Sequence, residues 1–158
     1  MAAVLRVRLN GSSVKWVEVL RHPGLSLFVI AGPFTCYAAH PVGDSGGSVL
    51  GVLFDRCDPL RSSARPGRFC GTDDTDEIVV SGGRSLVERY WGRYVAFLRD
   101  PGGAAVRVLR DPIGDIPCYH ARAPGIHIYF SALADLLQLR AVRLTINPSS
   151  RIRGVDGS

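Results

Sequence analysis

The chain has 158 residues, of which 46% are hydrophobic and 21% are charged, and this length accommodates one hydrophobic core. Its net charge of +5 comes almost entirely from arginine, since Lys15 is the only lysine, and the arginines are scattered rather than clustered with aromatic residues. No charged start followed by an apolar run indicates a signal peptide, and no stretch is long enough to span a bilayer. These features argue against nucleic-acid and membrane partners and predict a cytoplasmic protein.

The spacing of cysteine and histidine indicates no metal site. The cysteines form no CxxC pair and no zinc-like pattern with histidine, and a cytoplasmic chain keeps its thiols reduced. We expect an ordinary surface or half-buried role for each histidine, because the four are isolated in the sequence. We therefore predict no metal and no cofactor. The residues concerned are Cys36, Cys57, Cys70 and Cys118, and His22, His40, His120 and His127.

The first forty residues read as strands joined by turns. Val4 to Leu20 alternates weakly, which predicts one or two strands around the turn at Asn10-Gly11-Ser12. Leu25 to Ala31 is an apolar run typical of a buried strand, and Gly32-Pro33 breaks it. Phe34 to Ala39 is expected to continue the strand after the break.

A second apolar strand follows, and then a long polar stretch. Asp44 to Gly47 predicts a turn that leads into the strand Ser48 to Phe54, in which Gly51 indicates a bulge or a close backbone approach. Asp55 to Thr75 is rich in Arg, Ser, Pro, Gly and Asp and predicts a long loop. Ser85 to Trp91 predicts a short helix capped at Ser81 or Ser85.

The stretch from Tyr90 to Tyr119 predicts a β-hairpin followed by a second turn. Tyr94 to Arg99 is an almost wholly apolar strand. Asp100-Pro101-Gly102-Gly103 predicts a turn after it, because the proline fixes φ and the glycines allow positive φ. Val106 to Leu109 returns, and Arg110 to Gly114 forms a second turn before Pro117 ends the pairing. A hairpin this apolar needs a covering layer on each face.

A helix is predicted from Ser131 to Leu139 after this hairpin. Ser131 caps it, the leucines at positions 133, 136 and 137 face inward, and Asp135 and Gln138 face out. Residues 1–148 form the expected domain. Residues 149–158 show no apolar periodicity and predict a disordered tail.

The hairpin and the segment after it resemble the glutaminase half of asparagine synthetases. In that family the pattern reads roughly G-x-F/Y-A-F-x-x-x-D, then A-R-D-x-x-G-x-x-P-L-Y-Y, then F-A-S-x-x-x-x-L, and about a third of the chain matches it in order and spacing. The segment Y-W-G-R-Y-V-A-F is most similar to the divergent members of the family, among them the proteins that close lasso peptides. The residues that carry the motif are Gly92, Asp100, Arg110, Asp111, Gly114, Pro117 and Tyr119, followed by Tyr129-Phe130-Ser131.

The resemblance implies an α+β fold with two stacked antiparallel β-sheets and flanking helices, the αββα arrangement of N-terminal-nucleophile hydrolases. The residues alone support only a mostly antiparallel α+β domain. In longer relatives a synthetase domain follows, and we expect this chain to be a first half that is truncated or encoded separately. The implied partners are a synthetase domain or subunit and a precursor peptide.

The catalytic parts that the resemblance implies are largely missing. Class II glutamine amidotransferases use a cysteine as the mature first residue, whereas this chain begins Met1-Ala2-Ala3 and its nearest cysteine is Cys36. The family builds its oxyanion hole with an Asn-Gly pair, and Leu50-Gly51 stands at the corresponding place, without the amide. We therefore expect no catalytic residue and no glutamine hydrolysis.

An acidic segment is the remaining candidate for substrate binding. The family clamps the substrate α-amine with an acid in a T-D-x-E-like segment, which Thr72 to Glu77 resembles, with Asp74 and Asp76 as the candidates. A solvated acidic loop explains the same residues, so both interpretations stand.

The segment from Ser81 to Ser85 has two interpretations as well. Ser81-Gly82-Gly83-Arg84-Ser85 is similar to a pyrophosphate-binding loop of synthetases, but it lacks the aspartate and precedes the hairpin. We expect a glycine turn followed by a capped helix.

Three functions follow from the sequence. The favoured one is a degenerate glutaminase-like domain that serves as a scaffold or recognition module for ATP-dependent amide-bond formation. The second is an active glutamine-hydrolysing subunit that supplies ammonia, with an unusual nucleophile or a different start. The third is an unrelated small β-rich binding protein whose hairpin matches by chance.

Overall fold

The computed structural model describes residues 5, 7–9, 11–12, 14–30, 38–44, 46–56, 72–102 and 105–139, and the account below concerns these residues. They form an α+β structure whose paired strands are all antiparallel. The strands are β1 (Trp16–His22), β2 (Leu25–Ile30), β3 (Ala38–Pro41), β4 (Gly47–Asp55), β5 (Tyr90–Arg99), β6 (Val106–Arg110), β7 (Tyr119–Ala123) and β8 (Ile126–Phe130). The helices are α1 (Thr72–Val80), α2 (Arg84–Arg89) and α3 (Leu133–Leu139).

A four-stranded sheet in the order β3-β4-β5-β6 forms the centre. β4 and β5 pair over their full common length, from Gly47 opposite Leu98 to Asp55 opposite Tyr90. Both strands are nearly continuous in apolar residues because each face of the sheet is covered by another layer.

Helices cover one face of this sheet, and the β1–β2 hairpin covers the other. On the helix side, Ile78 of α1 and Leu86 of α2 pack on side chains of β4 and β5. On the hairpin side, Leu27 of β2 packs on Val95 and Phe97 of β5. The core on the helix side consists of Val42, Val49, Leu53, Ile78, Leu86, Tyr90, Tyr94, Ala96 and Leu98.

The β7–β8 hairpin was not among the predicted elements. It turns at Pro124-Gly125, and the ring of Tyr129 meets the ring of Phe97 edge-on, with centroids 5.8 Å apart. Phe97 also belongs to the core beneath the β1–β2 hairpin. The second hairpin therefore reaches the same face of the central sheet as the first.

The predicted hairpin around Asp100 is confirmed. β5 and β6 pair from Val95 opposite Arg110 to Arg99 opposite Val106, and the amide of Asp100 donates to the carbonyl of Ala105 at 2.9 Å. The strands predicted at 25–31 and 48–54 are confirmed as β2 and β4. The α+β class is likewise confirmed, with sheets of two, four and two strands.

Of the one or two strands predicted in residues 4–20, the structure has one, β1, and the strand alternative for the first part is wrong. Residues 7–9 are helical, and the amide of Gly11 donates to the carbonyl of Val7 at 3.0 Å. Leu5 and Leu9 are buried four residues apart, which places them on one face of a helical turn. The weak alternation was a poor guide because an i, i+4 pair also fits a period of two. Only the later part is a strand, β1, which begins at Trp16.

The loop predicted up to residue 75 is also wrong in its last part, since α1 begins at Thr72. Thr75 and Ile78 are buried and Val79 is partly buried, which is the i, i+3, i+4 pattern of an amphipathic helix. The aspartates at the start of this segment favour a helix N-terminus through the helix dipole. The interpretation of this segment as a solvated loop therefore fails.

Two predicted helices need smaller corrections. The first ends at Arg89, because Tyr90 is already extended and opens β5, so Trp91 is a strand residue. The last begins at Leu133, so Ala132 and not Ser131 precedes it. Leu136 is buried, but Leu133 and Leu137 are 50% and 54% exposed, since this short helix packs chiefly against β8.

Several predictions concern residues outside the described ranges. They are the strand continuation at residues 34–37, residues 57–71 of the predicted polar loop, the tail 149–158 and the cysteines at positions 36, 57 and 70. The histidines were expected at or near the surface, but His40 is wholly buried, and His120 and His127 contact each other.

Candidate functional site

The turn that follows β6 is built around the carboxylate of Asp111. Its Oδ1 accepts the amides of Ile113 and Gly114 at 3.0 and 2.8 Å, and its Oδ2 accepts the amide of Tyr94 in β5 at 3.4 Å. Asp111 is 3% exposed, so it ties the turn to the central sheet from a buried position. The role of this motif residue in the structure is to hold the backbone.

The other motif residues surround the same hairpin. Asp100 pairs with Arg107 at 3.1 Å across the β5–β6 turn, and the guanidinium of Arg110 donates to the carbonyl of Gly114. Gly92 lies in β5 opposite Leu53, where a Cβ would collide with the carbonyl oxygen of Val52. Pro117 and Tyr119 are exposed. Asp100, Arg110 and Gly92 thus have structural contacts within the hairpin and its partner strand.

Leu50 and Gly51 lie in the middle of β4. The side chain of Leu50 packs into the apolar core under the β1–β2 hairpin. Gly51 is buried with φ +143°, and its carbonyl oxygen is 3.3 Å from Nε2 of the buried His40. An oxyanion hole needs N–H groups aimed into an accessible site, and the position of Leu50 supplies an alkyl group inside a core instead.

Asp76 lies in a shallow cleft between α1 and two turns of the sheet. The cleft has a volume of about 310 Å³ and combines two carboxylates with an apolar wall. The carboxylate of Asp76 lies 3.6 Å from where a Cβ on Gly43 would stand, so the turn after β3 and the first half of α1 meet here. The lining residues are Gly43, Asp44, Gly46, Asp76, Val79, Val80 and Pro101.

The composition of the cleft fits a cationic group beside an apolar one. Asp44 and Asp76 are both exposed, and their carboxylates are acceptors for an ammonium or guanidinium group. Val80 is 80% exposed and Val79 is partly buried, which leaves apolar surface for a side chain to cover. Among the described lining residues, the charged groups are the carboxylates of Asp44 and Asp76, which suit the binding of a cation.

The predicted site residues are only partly brought together. Asp76 lines the cleft, and Asp74 lies in the same helix, one turn or less from its start. Leu50 and Gly51 do not line it. Asp44 and Pro101 do, although the sequence predicts both only as turn residues. No sequence signal assigns them to a common site, because they come from two turns that meet only in the folded sheet.

The glycines at 82 and 83 end helix α1. The amide of Gly83 donates to the carbonyl of Ile78 at 2.8 Å and that of Gly82 to Val79 at 3.0 Å, which is the Schellman pattern with Gly82 at φ +64°. The hydroxyl of Ser81 accepts the amide of Ser85 at 3.2 Å. These amides are occupied within the loop, which contradicts a phosphate cradle and confirms the expected turn.

Cys118 is the cysteine that the described residues include, and it is poorly suited to act as a nucleophile. It is half-buried and packs against the core on the hairpin side. Burial raises the pKa of its thiol, although the guanidinium of Arg110 partly offsets this. A raised pKa keeps the thiol protonated near neutral pH, whereas a reactive cysteine needs the thiolate.

Tyr94 carries a buried hydroxyl on the helix side of the sheet. Its side chain is fully buried, and its oxygen has no hydrogen-bond partner among the residues that the structure describes. Burial and the nearby carboxylate of Asp111 raise its pKa to about 12, while Arg56 lowers it. The folded state therefore resists ionisation of this group more than the unfolded chain does.

We expect this difference to weaken the protein selectively at high pH. The unfolded tyrosine ionises near pH 10 and the folded one near 12, so the stability contribution is complete below pH 10 and is lost as the pH rises to 12. Between pH 8 and 11, the wild type should lose about 1 kcal/mol more unfolding free energy than Tyr94→Phe. Urea denaturation at pH 8 and at pH 11 measures the unfolding free energy of both proteins. The exposed Tyr119→Phe is the control and should behave as the wild type.

Among the described residues, no three histidine, cysteine, aspartate or glutamate side chains cluster as metal ligands. The described helices include none with the length and apolarity needed to cross a membrane. Comparison of the chain with protein-family models, with curated proteins and with solved structures gives no match.

Proposed function

We propose that the chain is a degenerate glutamine amidotransferase-like domain of an asparagine synthetase-related protein of the lasso-peptide cyclase kind. In this proposal it serves ATP-dependent amide-bond formation as a scaffold or recognition module. The motif that carries the resemblance forms a hairpin whose turn is held by a buried aspartate, Asp111. An antiparallel sheet with helices on one face and hairpins on the other is the layering that the resemblance implies for one half of the αββα arrangement.

The observation that carries the proposal is the environment of Leu50. The resemblance puts the amide of the oxyanion hole at this position, and here the side chain is packed in an apolar core. The neighbouring Gly51 carbonyl is engaged by His40. This environment supports a glutaminase-like scaffold that lacks the hydrogen-bond donors needed to stabilise a tetrahedral intermediate.

The cleft at Asp76 supports a recognition role. The resemblance assigns an acid of this segment to the α-amine of a substrate, and the two carboxylates of the cleft, from Asp44 and Asp76, retain the chemistry to bind an amine. The exposed Val80 and the partly buried Val79 beside them add an apolar contact. A peptide with a basic group next to an apolar side chain matches this surface.

Ammonia release from glutamine tests the proposal. We expect the purified chain, alone and with any synthetase encoded beside it, to release no ammonia above the buffer background, and an intact class II glutaminase serves as the positive control. Leu50→Asn should not create activity, because the new amide would lie in an apolar core, and it should cost about 2 kcal/mol of unfolding free energy. Release well above background by the unmodified chain would overturn the proposal.

A further inference from the structure

The exposed face of the β7–β8 hairpin carries a cluster of ring side chains that the proposed function does not use. His120 lies opposite Tyr129 and His127 lies opposite Arg122, so the four side chains share one face of the hairpin. All four are exposed. The cluster lies on a different element from the Asp76 cleft, whose lining includes no residue of this hairpin.

The two imidazoles are joined edge to edge. Nε2 of His120 lies 2.9 Å from Nδ1 of His127, and the ring planes differ by only 9° with centroids 5.1 Å apart. A short bond between rim atoms of nearly coplanar rings means that one nitrogen donates its proton and the other presents its lone pair to it. Two ring nitrogens on neighbouring strands thus face each other across a hydrogen bond.

Aromatic packing restrains one of these rings. The ring of His120 stacks on Tyr129 with centroids 4.6 Å apart and planes 17° apart. Tyr129 in turn meets the edge of Phe97, which is 7% exposed in the core. The His120 ring is therefore supported from the core outward, which lowers the entropy cost of fixing it for a ligand.

We propose that His120 and His127 form a two-nitrogen chelate for a divalent transition-metal ion. Metal–imidazole bonds of about 2.0–2.1 Å place two ligand nitrogens about 2.9 Å apart at right angles and about 3.4 Å apart in a tetrahedron. The two facing nitrogens are 2.9 Å apart in their hydrogen bond, so a small rotation of the exposed His127 ring brings both to one ion. Imidazole nitrogen suits Ni²⁺, Cu²⁺ and Zn²⁺.

Binding requires a proton shift within the pair and a small rotation of the His127 ring. The imidazole that donates the hydrogen bond moves its proton to its other ring nitrogen, and both facing nitrogens then offer lone pairs to the ion. Water completes the coordination. The exposed guanidinium of Arg122 on the same face lowers the affinity by charge repulsion, which salt screens.

Nickel titration of the tag-free full chain at pH 7.5 tests the proposal, with NiCl₂ as the probe because free thiols reduce Cu²⁺. We expect calorimetry to show one site that His120→Ala and His127→Ala each weaken about tenfold or more, because each variant leaves a single ligand. His22→Ala, on the other hairpin, is the matched control and should bind as the wild type does.

A measurement on the unmodified chain keeps the test independent of how the variants fold. In imidazole NMR spectra, substoichiometric Ni²⁺ should broaden the ring signals of His120 and His127 and leave those of His22 and His40. No nickel binding by the wild type, unchanged binding in both single variants, or first broadening of His22 would each overturn the proposal.

Discussion

We expect Gly51→Ala to destabilise the central sheet strongly. A Cβ at this position would stand 2.1 Å from the carbonyl oxygen of Arg93 and 2.7 Å from the Cα of Tyr94, both backbone atoms of the paired strand. The φ of +143° is also one that side chains rarely adopt. The β4–β5 ladder would have to separate, so we expect a loss of about 3 kcal/mol or more, measured by urea denaturation.

Gly24→Ala is the matched control for this change. Gly24 has φ +81° in the β1–β2 turn, and nothing lies within 4 Å of its added Cβ. It therefore carries the conformational strain without the collision, and should cost about 1 kcal/mol. Equal losses in the two variants would contradict the close approach of β4 and β5 at Gly51.

Asp111→Ala is expected to destabilise the protein by about 3 kcal/mol. The change leaves the amides of Tyr94, Ile113 and Gly114 without the carboxylate that accepts them at a buried position. Asp111→Asn should cost about half as much, because one amide oxygen can still accept from the turn while its NH₂ group faces the Tyr94 amide. The denaturant midpoints of the wild type and the two variants measure this order of stability.

Asp115→Ala supplies the control for the aspartate series. Asp115 is 48% exposed and pairs with Arg93 only at 4.0 Å, so its loss should change stability by less than about 0.5 kcal/mol. If Asp111→Asn were as stable as the wild type, the contact between Asp111 and the Tyr94 amide would contribute nothing. The conclusion that Asp111 ties the turn to the sheet would then be wrong.

The β5–β6 hairpin was predictable because its determinants are local. Apolar runs, a Pro-Gly turn and an aspartate that binds its own following amides are all encoded within about ten residues of each other. The same reasoning failed for α1, where three aspartates near the start of the segment suggested solvent exposure. The helix forms because Ile78 and Val79 bury one side of it on the sheet, and that contact depends on the tertiary fold.

Of the residues in the candidate site, the sequence predicted only the acidic residue Asp76. Asp76 was selected by its resemblance to a substrate-clamping segment, but its neighbours in the cleft come from the turns before β4 and after β5. The pair formed by His120 and His127 was missed because the β7–β8 hairpin was missed. Alternating residues around Pro124-Gly125 were the available signal, and His120 and His127 fall on the same face in that alternation.

By itself, the sequence determined the α+β class, the main strands and the β5–β6 turn chemistry. These depend on backbone preferences and on apolar periodicity, which act over a few residues. The tertiary structure decided that Leu50, partly buried, packs against an apolar core, that Asp44 joins Asp76, and that two histidine nitrogens come to 2.9 Å. Such contacts join residues from separate elements, and only strand register and layer packing bring those elements together.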